Sequence, residues 1–347
     1  MTLDNAGIAE LLAVEASEHA GHVAKAFRRA SRRALTWPVE AAQLLGESRS
    51  LTELGGVGPF LARVIERWIT DEVTAPKPPP LRSGFLTLTQ ARRILAQHPD
   101  VVPLRDLQMH TTWSDGGSTL DEMAAAADAR GYDSIAITDH SAPGLRIVKG
   151  LDDERIRAQG LEIAALNRRL ERSGSTLRVL RSIEMNVTPS GEGDVDPKVL
   201  RSLDIVLGSF HSSLRKTDDQ TERYMSALAH PQLHVLAHPR GRIYNFRAGL
   251  SADWARVFAF AASRDKALEI DAYPDRQDLD VDLLEIARDA GCRISIGTDA
   301  HAHWQLEWID LGVAAAITAG IPRDRILNLM PRDELRGWTA EVRSRAA

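Results

Sequence analysis

Cysteine is almost absent from this sequence: Cys292 is the only one among 347 residues. A single cysteine excludes an internal disulfide framework and a cysteine-rich zinc site. The sequence also lacks any apolar run near the ~18 residues of a membrane-spanning helix. Its acidic start, with Asp4 and Glu10, lacks the basic-then-apolar order of a signal peptide. We therefore expect a cytoplasmic protein with no membrane partner.

Basic charge is too scarce to mark a nucleic-acid-binding protein by itself, because the net charge is −5. Residues 1–99 carry 12 Lys/Arg against 10 Asp/Glu, whereas residues 100–347 carry 31 against 38. The acidic second part also holds most of the histidines. This combination suggests metal ligands, whose bound ions would offset some of the negative charge.

Four prolines in residues 74–83 separate two parts of the chain. They prevent a helix and favour extended polyproline II structure, which predicts a semi-rigid spacer. Before the spacer, apolar residues recur at helical spacing in 7–14, 23–35, 38–45 and 60–69. We predict a helical domain at 1–73, a spacer with a connecting helix at 74–103, and a second domain at 104–347.

In the second part, short β-rich runs alternate with helical stretches, which is typical of βα units on a parallel sheet. Seven or eight such units in about 240 residues predict a closed α/β barrel with functional groups at the C-terminal strand ends. The seven runs are 105–110, 134–139, 178–185, 204–210, 233–237, 267–272 and 293–298.

Six of these seven runs end in a histidine or a carboxylate that we select as a candidate ligand; the exception is 267–272, whose Asp271 is not selected. Imidazole suits zinc, iron and manganese, and carboxylates can bridge two ions. Nine candidate ligands are too many for one tetrahedral ion, so we predict a centre of two or three divalent ions. The candidates are Gln108, His110, Asp115, His140, Glu184, His211, His238, Asp299 and His301.

These motifs resemble the PHP (polymerase and histidinol phosphatase) superfamily over about residues 104–340. The resemblance is carried, in order, by 106–116 (DLQMHTTWSDG), 137–140 (ITDH), Glu184, 211–212 (HS), 238–239 (HP) and 298–301 (TDAH). Residues 268–280 (LEIDAYPDRQDLD), together with Gln108, are similar to the PHP domain at the C-terminus of bacterial family X DNA polymerases. The resemblance implies a distorted seven-stranded (β/α) barrel and a trinuclear metal centre of Zn, Mn or Fe.

The resemblance also implies a role for each ligand. Glu184 would bridge two ions, and Gln108 departs from the histidine found in many members, since a neutral amide oxygen is a weaker ligand. Three sets of residues follow: Gln108, His110, Glu184 and Asp299; Glu184, His211 and His238; and Asp115, His140 and His301. We predict Glu184, Asp299 and His110 to be catalytic as well as metal ligands. Arg240 and Arg242 are the other catalytic candidates, as a clamp for a substrate phosphate, the alternative being a surface pair.

The N-terminal part is similar to the small DNA-binding domain that opens family X polymerases. Residues 51–65 (LTELGGVGPFLARVI) look like a helix-hairpin-helix, in which Gly56 and Gly58 would let backbone N–H groups face a phosphate. The alternative is a structural turn. Upstream, Arg28, Arg29, Arg32 and Arg33 lie at helical spacings that form one basic stripe, either a nucleic-acid contact or a solvated helix face.

We predict a metal-dependent phosphoesterase acting on DNA ends, as a 3′–5′ exonuclease, a 3′-phosphatase or an abasic-site endonuclease. A metal-bound hydroxide would attack phosphorus. The spacer leaves no room for a polymerase core, which excludes nucleotidyl transfer. Two alternatives stay open: a small-molecule phosphatase of histidinol-phosphate type, and a catalytically silent DNA-binding scaffold. Trp304 and Trp308 are predicted to pack in the barrel rather than to stack on a base.

Overall fold

The computed structural model describes residues 3–141 and 149–345. Its N-terminal part is helical because apolar side chains repeat at helical spacing and the ends are capped. The Asp4 side chain accepts a hydrogen bond from the Gly7 N–H at the first helix, and Pro59 takes the first position of the fourth, where a missing N–H costs nothing. These helices are α1 (Asn5–Glu18), α2 (Gly21–Ala34), α3 (Ala41–Gly46) and α4 (Pro59–Thr70).

Residues far along the chain complete the apolar core of these four helices. Tyr244 is 2% exposed within that core, and its hydroxyl lies 3.1 Å from the Ser31 Oγ of α2. Arg82 donates two hydrogen bonds of 2.7 Å to the Glu10 carboxylate of α1. The helical part is therefore packed directly against the second part.

Residues 74–83 contain neither helix nor strand, as their prolines predict. The following helix, α5 (Leu88–Ala96), begins with a capping box in which Thr87 and Gln90 exchange hydrogen bonds. Its buried residues Leu88 and Ala91 belong to the core of the second part. Although α5 precedes the first strand, it is an outer helix of that part.

The second part carries eight short strands among the described residues, all paired in parallel. They form a three-stranded sheet with the order β1-β2-β3 and a five-stranded sheet with the order β4-β5-β6-β7-β8. The strands are β1 (Arg105–Asp106), β2 (Ser134–Ile137), β3 (Arg178–Arg181), β4 (Glu184–Asn186), β5 (Leu207–Ser209), β6 (Val235–Leu236), β7 (Ala267–Asp271) and β8 (Arg293–Gly297).

The prediction of a parallel α/β architecture is confirmed, but the strands differ from the predicted single barrel of seven. The run at 178–185 is two strands, so Glu184 is the first residue of β4 rather than the end of a longer strand. Backbone hydrogen bonds join the edges of the two sheets: His110 N donates to Ala300 O (2.8 Å), and Ser141 N donates to Glu184 O (3.0 Å).

Helices cover the outside of both sheets, and one closes an end of the strands. Leu268 and Ile270 of β7 face the outer helices, whereas Ala267 packs with Trp338 of the last helix. No helix among the described residues combines the length and apolarity needed to cross a membrane. The remaining helices are α6 (Leu120–Ala129), α7 (Asp153–Ser173), α8 (Pro197–Leu200), α9 (Thr221–Ala229), α10 (Trp254–Ser263), α11 (Val281–Asp289), α12 (Ile309–Thr318) and α13 (Arg332–Ser344).

Candidate metal centre

Glu184 lies fully buried at the centre of a cluster of histidines. Its Oε1 is 2.7 Å from His238 Nε2 and 3.1 Å from His211 Nε2. Its Oε2 is 3.1 Å from His140 Nδ1 and 3.4 Å from His110 Nε2. Four imidazoles from four segments of the chain therefore surround one carboxylate, as expected for an acid that bridges two ions.

Two further carboxylates extend the cluster on either side. Asp115 Oδ2 is 3.5 Å from the Nε2 atoms of both His140 and His301. Asp299 Oδ1 is 2.8 Å from His110 Nε2. The structure thus brings together the eight histidine and carboxylate side chains that the sequence analysis selected.

The chemistry of these atoms fits divalent metal ions. Both ring nitrogens of His110, Nδ1 of His140 and Oε2 of Glu184 are buried and have no partner with hydrogen-bond geometry among the described residues. Nitrogen and carboxylate oxygen donors together suit zinc, manganese or iron. Three groups have ligand atoms close enough to hold an ion: His110, Asp115, His140 and His301; His140, Glu184 and His211; and His110, Glu184 and Asp299.

The cluster strongly perturbs its own titration. Burial alone would raise the pKa of Glu184, but His140, His211 and His238 hold that pKa well below its usual range. Burial opposes the charged form of His140 as well, yet Glu184 and Asp115 raise the pKa of this histidine to about 10. Glu184 is therefore ionised and attracts cations, and bound ions would displace the imidazole protons.

Gln108 lies beside the cluster and is held by a residue that the sequence analysis missed. Its amide group lies against both oxygens of the Glu269 carboxyl group, and it donates to both when its nitrogen is assigned to that side. This orientation leaves the amide oxygen of Gln108 as the atom available to a metal ion. Glu269 also accepts a hydrogen bond of 2.7 Å from the His238 N–H. The alternation of β7 (ALEID), which places two acids on one face of a buried strand, was the available signal.

Two predicted ligands adopt a backbone conformation that non-glycine residues rarely take. His238 has φ +27° and Asp299 has φ +51°, and such strain persists only where the surroundings enforce it. At Asp299, the N–H donates to Gln108 O (3.0 Å), and the preceding Thr298 N–H donates to Asp106 (3.0 Å). The Asp106 carboxyl group that accepts this hydrogen bond is buried, and its burial raises the pKa of Asp106 to about 6.

Arg276 is a second residue at the cluster that the sequence analysis did not select. Its Nη1 contacts Asp299 and lies 3.6 Å from Asp271 Oδ2. Its guanidinium carbon is 5.1 Å from the centre of the Tyr273 ring. A fixed cation therefore reaches a predicted metal ligand from the loop that follows β7.

Arg240 and Arg242, predicted as a phosphate clamp, have other partners. Each donates a 2.7 Å hydrogen bond to Asp280 Oδ2. Arg242 is also buried against the Phe85 ring, with its guanidinium carbon 3.8 Å from the ring centre, and donates to Gly84 O (3.1 Å). These contacts tie the loop after β6 to the end of the spacer. They give both arginines a structural role, and no contact to the ligand cluster accompanies them among the described residues.

The basic stripe of α2 lies on the exposed side of that helix. Arg28, Arg29, Arg32 and Arg33 are all exposed, while Phe27 and its apolar neighbours face the core. Arg32 lies 3.8 Å from Asp275, the neighbour of Arg276. The end of the stripe therefore lies next to the loop that reaches the metal ligands.

The predicted hairpin has the expected glycine conformation. Gly56 has φ +83°, which only glycine adopts without strain, and Gly58 is the exposed N-cap of α4. Pro59 removes one N–H from the helix start, and Phe60 is 51% exposed where a lysine would add charge. The backbone can face a phosphate here, with few additional donors.

The fold and the cluster together define a parallel α/β protein with a buried group of histidines and carboxylates suited to binding metal ions. The model of the PHP domain matches residues 106–297, more than half of the chain. The chain belongs to the PHP family.

Relatives with this domain differ in length and name. "DNA polymerase/3'-5' exonuclease PolX" of Bacillus subtilis (strain 168) is 38% identical over 224 residues, which are 64% of this chain and 38% of PolX. "Probable phosphatase YcdX" of Escherichia coli (strain K12) is 25% identical over 232 residues, 65% of this chain and 90% of YcdX. Histidinol phosphate phosphatase from Lactococcus lactis, solved with zinc, L-histidinol and phosphate, covers 71% of this chain and 95% of its own at 16% identity, with a TM-score of 0.39.

Proposed function

We propose that this protein is a metal-dependent phosphoesterase that acts on nucleic-acid ends, with three divalent ions in the centre. The observation that carries the proposal is Glu184, a buried carboxylate with histidine nitrogens within 3.4 Å of both oxygens. Bound divalent ions would supply an activated water and neutralise charge on the phosphoryl oxygens. A silent scaffold would not need to preserve this arrangement.

The chain's own residues orient the ions and the substrate. Glu184 would bridge two ions, and Asp115 would bind an ion together with His140 and His301. The strained backbone at Asp299 would fix the direction of the Asp299 carboxylate. Arg276 is placed to bind a phosphate oxygen, because its guanidinium lies at the ligand Asp299 and is held over the Tyr273 ring.

The preference for a nucleic acid rests on the helical part. The relative PolX carries the name of a 3'-5' exonuclease, and the exposed arginines of α2 end next to Asp275 and Arg276. A phosphate backbone lying on α2 would therefore lead toward the metal ligands. The accessible N–H groups at Gly58 offer a second phosphate contact.

A substrate panel tests this function. Purified protein, with its metal content measured, would be given end-labelled single- and double-stranded DNA, a 3′-phosphorylated oligonucleotide and histidinol phosphate. We expect shortening of DNA or release of its 3′-phosphate, abolished by a chelator and restored by Zn²⁺ or Mn²⁺. Phosphate release confined to histidinol phosphate would favour the small-molecule phosphatase, which the match to 90% of YcdX keeps as the second candidate.

A salt titration tests the role of α2. Binding should weaken steeply with salt because each neutralised phosphate releases counterions. Replacing Arg28, Arg29, Arg32 and Arg33 with Ala should flatten this dependence, by about one unit of slope per lost contact. The control replaces Arg168 and Arg172, exposed on α7, and should leave the slope unchanged. An unchanged slope in the α2 variant would show that this helix does not hold the nucleic acid.

A further inference from the structure

An exposed tryptophan stands at the edge of the metal centre. Trp304 and Trp308 share the short 3-10 turn His303–Trp308, just after the predicted ligand His301. Trp308 is 5% exposed, as predicted for a packing residue, but Trp304 is 52% exposed. The prediction that both would pack is therefore wrong for Trp304.

Hydrogen bonds hold this turn firmly to the centre. The N–H groups of His301 and Ala302 donate to Gln305 Oε1 at 2.6 and 3.1 Å. The His303 N–H donates to Ser118 Oγ at 3.1 Å, and the same hydroxyl lies 3.0 Å from the His303 ring. The backbone that carries Trp304 is thus fixed relative to His301.

Aromatic rings connect Trp304 to the cluster. Trp304 meets Trp308 edge-on, with ring centres 5.4 Å apart, and Trp308 meets Tyr273 at 4.7 Å. Tyr273 is 6.3 Å from the His301 ring and lies beneath the guanidinium of Arg276. Three aromatic side chains packed edge to face, together with Arg276, therefore lie beside the predicted ligand His301.

We propose that Trp304 stacks on the base of an unpaired nucleotide at the strand end that the metal centre cleaves. A single exposed apolar residue needs no explanation. An indole on a fixed turn, connected through Trp308 and Tyr273 to the cation Arg276, matches a ligand that has a π-face near a phosphate. Such aromatic platforms bind single strands without sequence preference. In a duplex the neighbouring bases cover both faces of each internal base and one face of the terminal base, whereas an unpaired end leaves its bases free to stack on a protein ring. The inference rests on the proposed function and narrows its substrate to unpaired ends.

Kinetics of full-length variants test the proposal. The quantity measured is kcat/KM for a single-stranded oligonucleotide divided by kcat/KM for a chromogenic phosphate ester. Trp304→Ala should lower this ratio by about tenfold. Trp304→Phe, which keeps a flat ring, should retain most of the ratio. Leu161→Ala, an exposed apolar residue on α7, is the matched control and should leave the ratio unchanged. Ester turnover shows that each variant is folded.

Binding provides a second measurement, in chelator so that no cleavage occurs. Oligothymidylate should quench the tryptophan fluorescence of the wild type more than that of Trp304→Phe. An unchanged kinetic ratio in Trp304→Ala would overturn the stacking proposal and leave the phosphoesterase function standing. An equal loss on blunt duplex and single strand would overturn the preference for unpaired ends. If the wild type cleaves the ester but neither binds nor cleaves oligonucleotides, both proposals fall.

Discussion

At the residue scale, the proposed metal centre depends most on the charge of Glu184. Glu184→Gln keeps the shape of the side chain but removes an anion that four histidines share. We expect it to lower kcat by more than about 100-fold and to lower the bound metal. Gln108→Ala removes a neutral oxygen and should cost only about 10-fold. Metal analysis of both variants beside kcat measures the difference, and similar losses at equal metal content would contradict the bridging role.

Glu269 should matter for metal binding although it is not itself a predicted ligand. It accepts hydrogen bonds from the Gln108 amide and from the His238 N–H, so Glu269→Ala would free both predicted ligands to move. We expect metal affinity to fall about 10- to 100-fold, measured by competition with a chromogenic chelator. Glu269→Gln should lose less. Glu285→Ala, at an exposed position on α11, is the control. If Glu269→Ala loses no more metal affinity than Glu285→Ala, then Glu269 does not position the predicted ligands.

The side chains of the cluster were predictable one by one because parallel strands bring their ends together. Glu269 and Arg276 were not, because their roles depend on contacts with Gln108 and Asp299 from distant strands. The partner of Arg240 was equally hidden, since nothing in the sequence links it to Asp280. Sequence patterns thus identify which residues gather, whereas side-chain partners need the folded geometry.

At the scale of elements, a buried lysine directly precedes β7 and has a testable pH dependence. Lys266 is 3% exposed, and burial lowers its pKa to about 7. The unfolded chain therefore binds an additional proton between about pH 7 and pH 10, so the free energy of unfolding should rise with pH across this range.

Lys266→Met should remove that pH-dependent rise. We expect the variant to be more stable than the wild type by about 1–3 kcal/mol at pH 6, with the gap narrowing toward pH 10. Urea unfolding at pH 6, 8 and 10 measures this. Lys198→Met on α8, whose lysine is exposed, is the control. A gap that stays constant with pH would show that Lys266 does not titrate in this range.

Most elements followed from periodicity, and the exceptions have physical causes. The helices predicted at 23–35 and 60–69 correspond to α2 and α4 within two residues. The break between β3 and β4, at Ser182 and Ile183, has no glycine or proline to mark it. It arises from pairing, because β3 pairs with β2 whereas β4 pairs with β5.

At the scale of the whole molecule, α5 packs into the core of the second part. Leu88 and Ala91 are fully buried in the core of the second part. A protein that begins at residue 100 loses both, whereas one that begins at residue 86 keeps them. We expect the shorter protein to be less stable by at least about 2–5 kcal/mol, the cost of one large core truncation. Thermal unfolding of the two proteins tests this, and equal melting temperatures would place α5 outside the core.

Tyr244 and Arg82 pack against α2 and α1, respectively. This packing should affect the length of the DNA fragments that remain after digestion. If the arginines of α2 hold one segment of a strand while the metal centre removes nucleotides from its end, the span between them is constant. A strand longer than this span is held at two places, and a shorter one at a single place. Digestion should therefore stall at a limit length, visible as a persistent short band on a sequencing gel, and substituting the α2 arginines should erase that band.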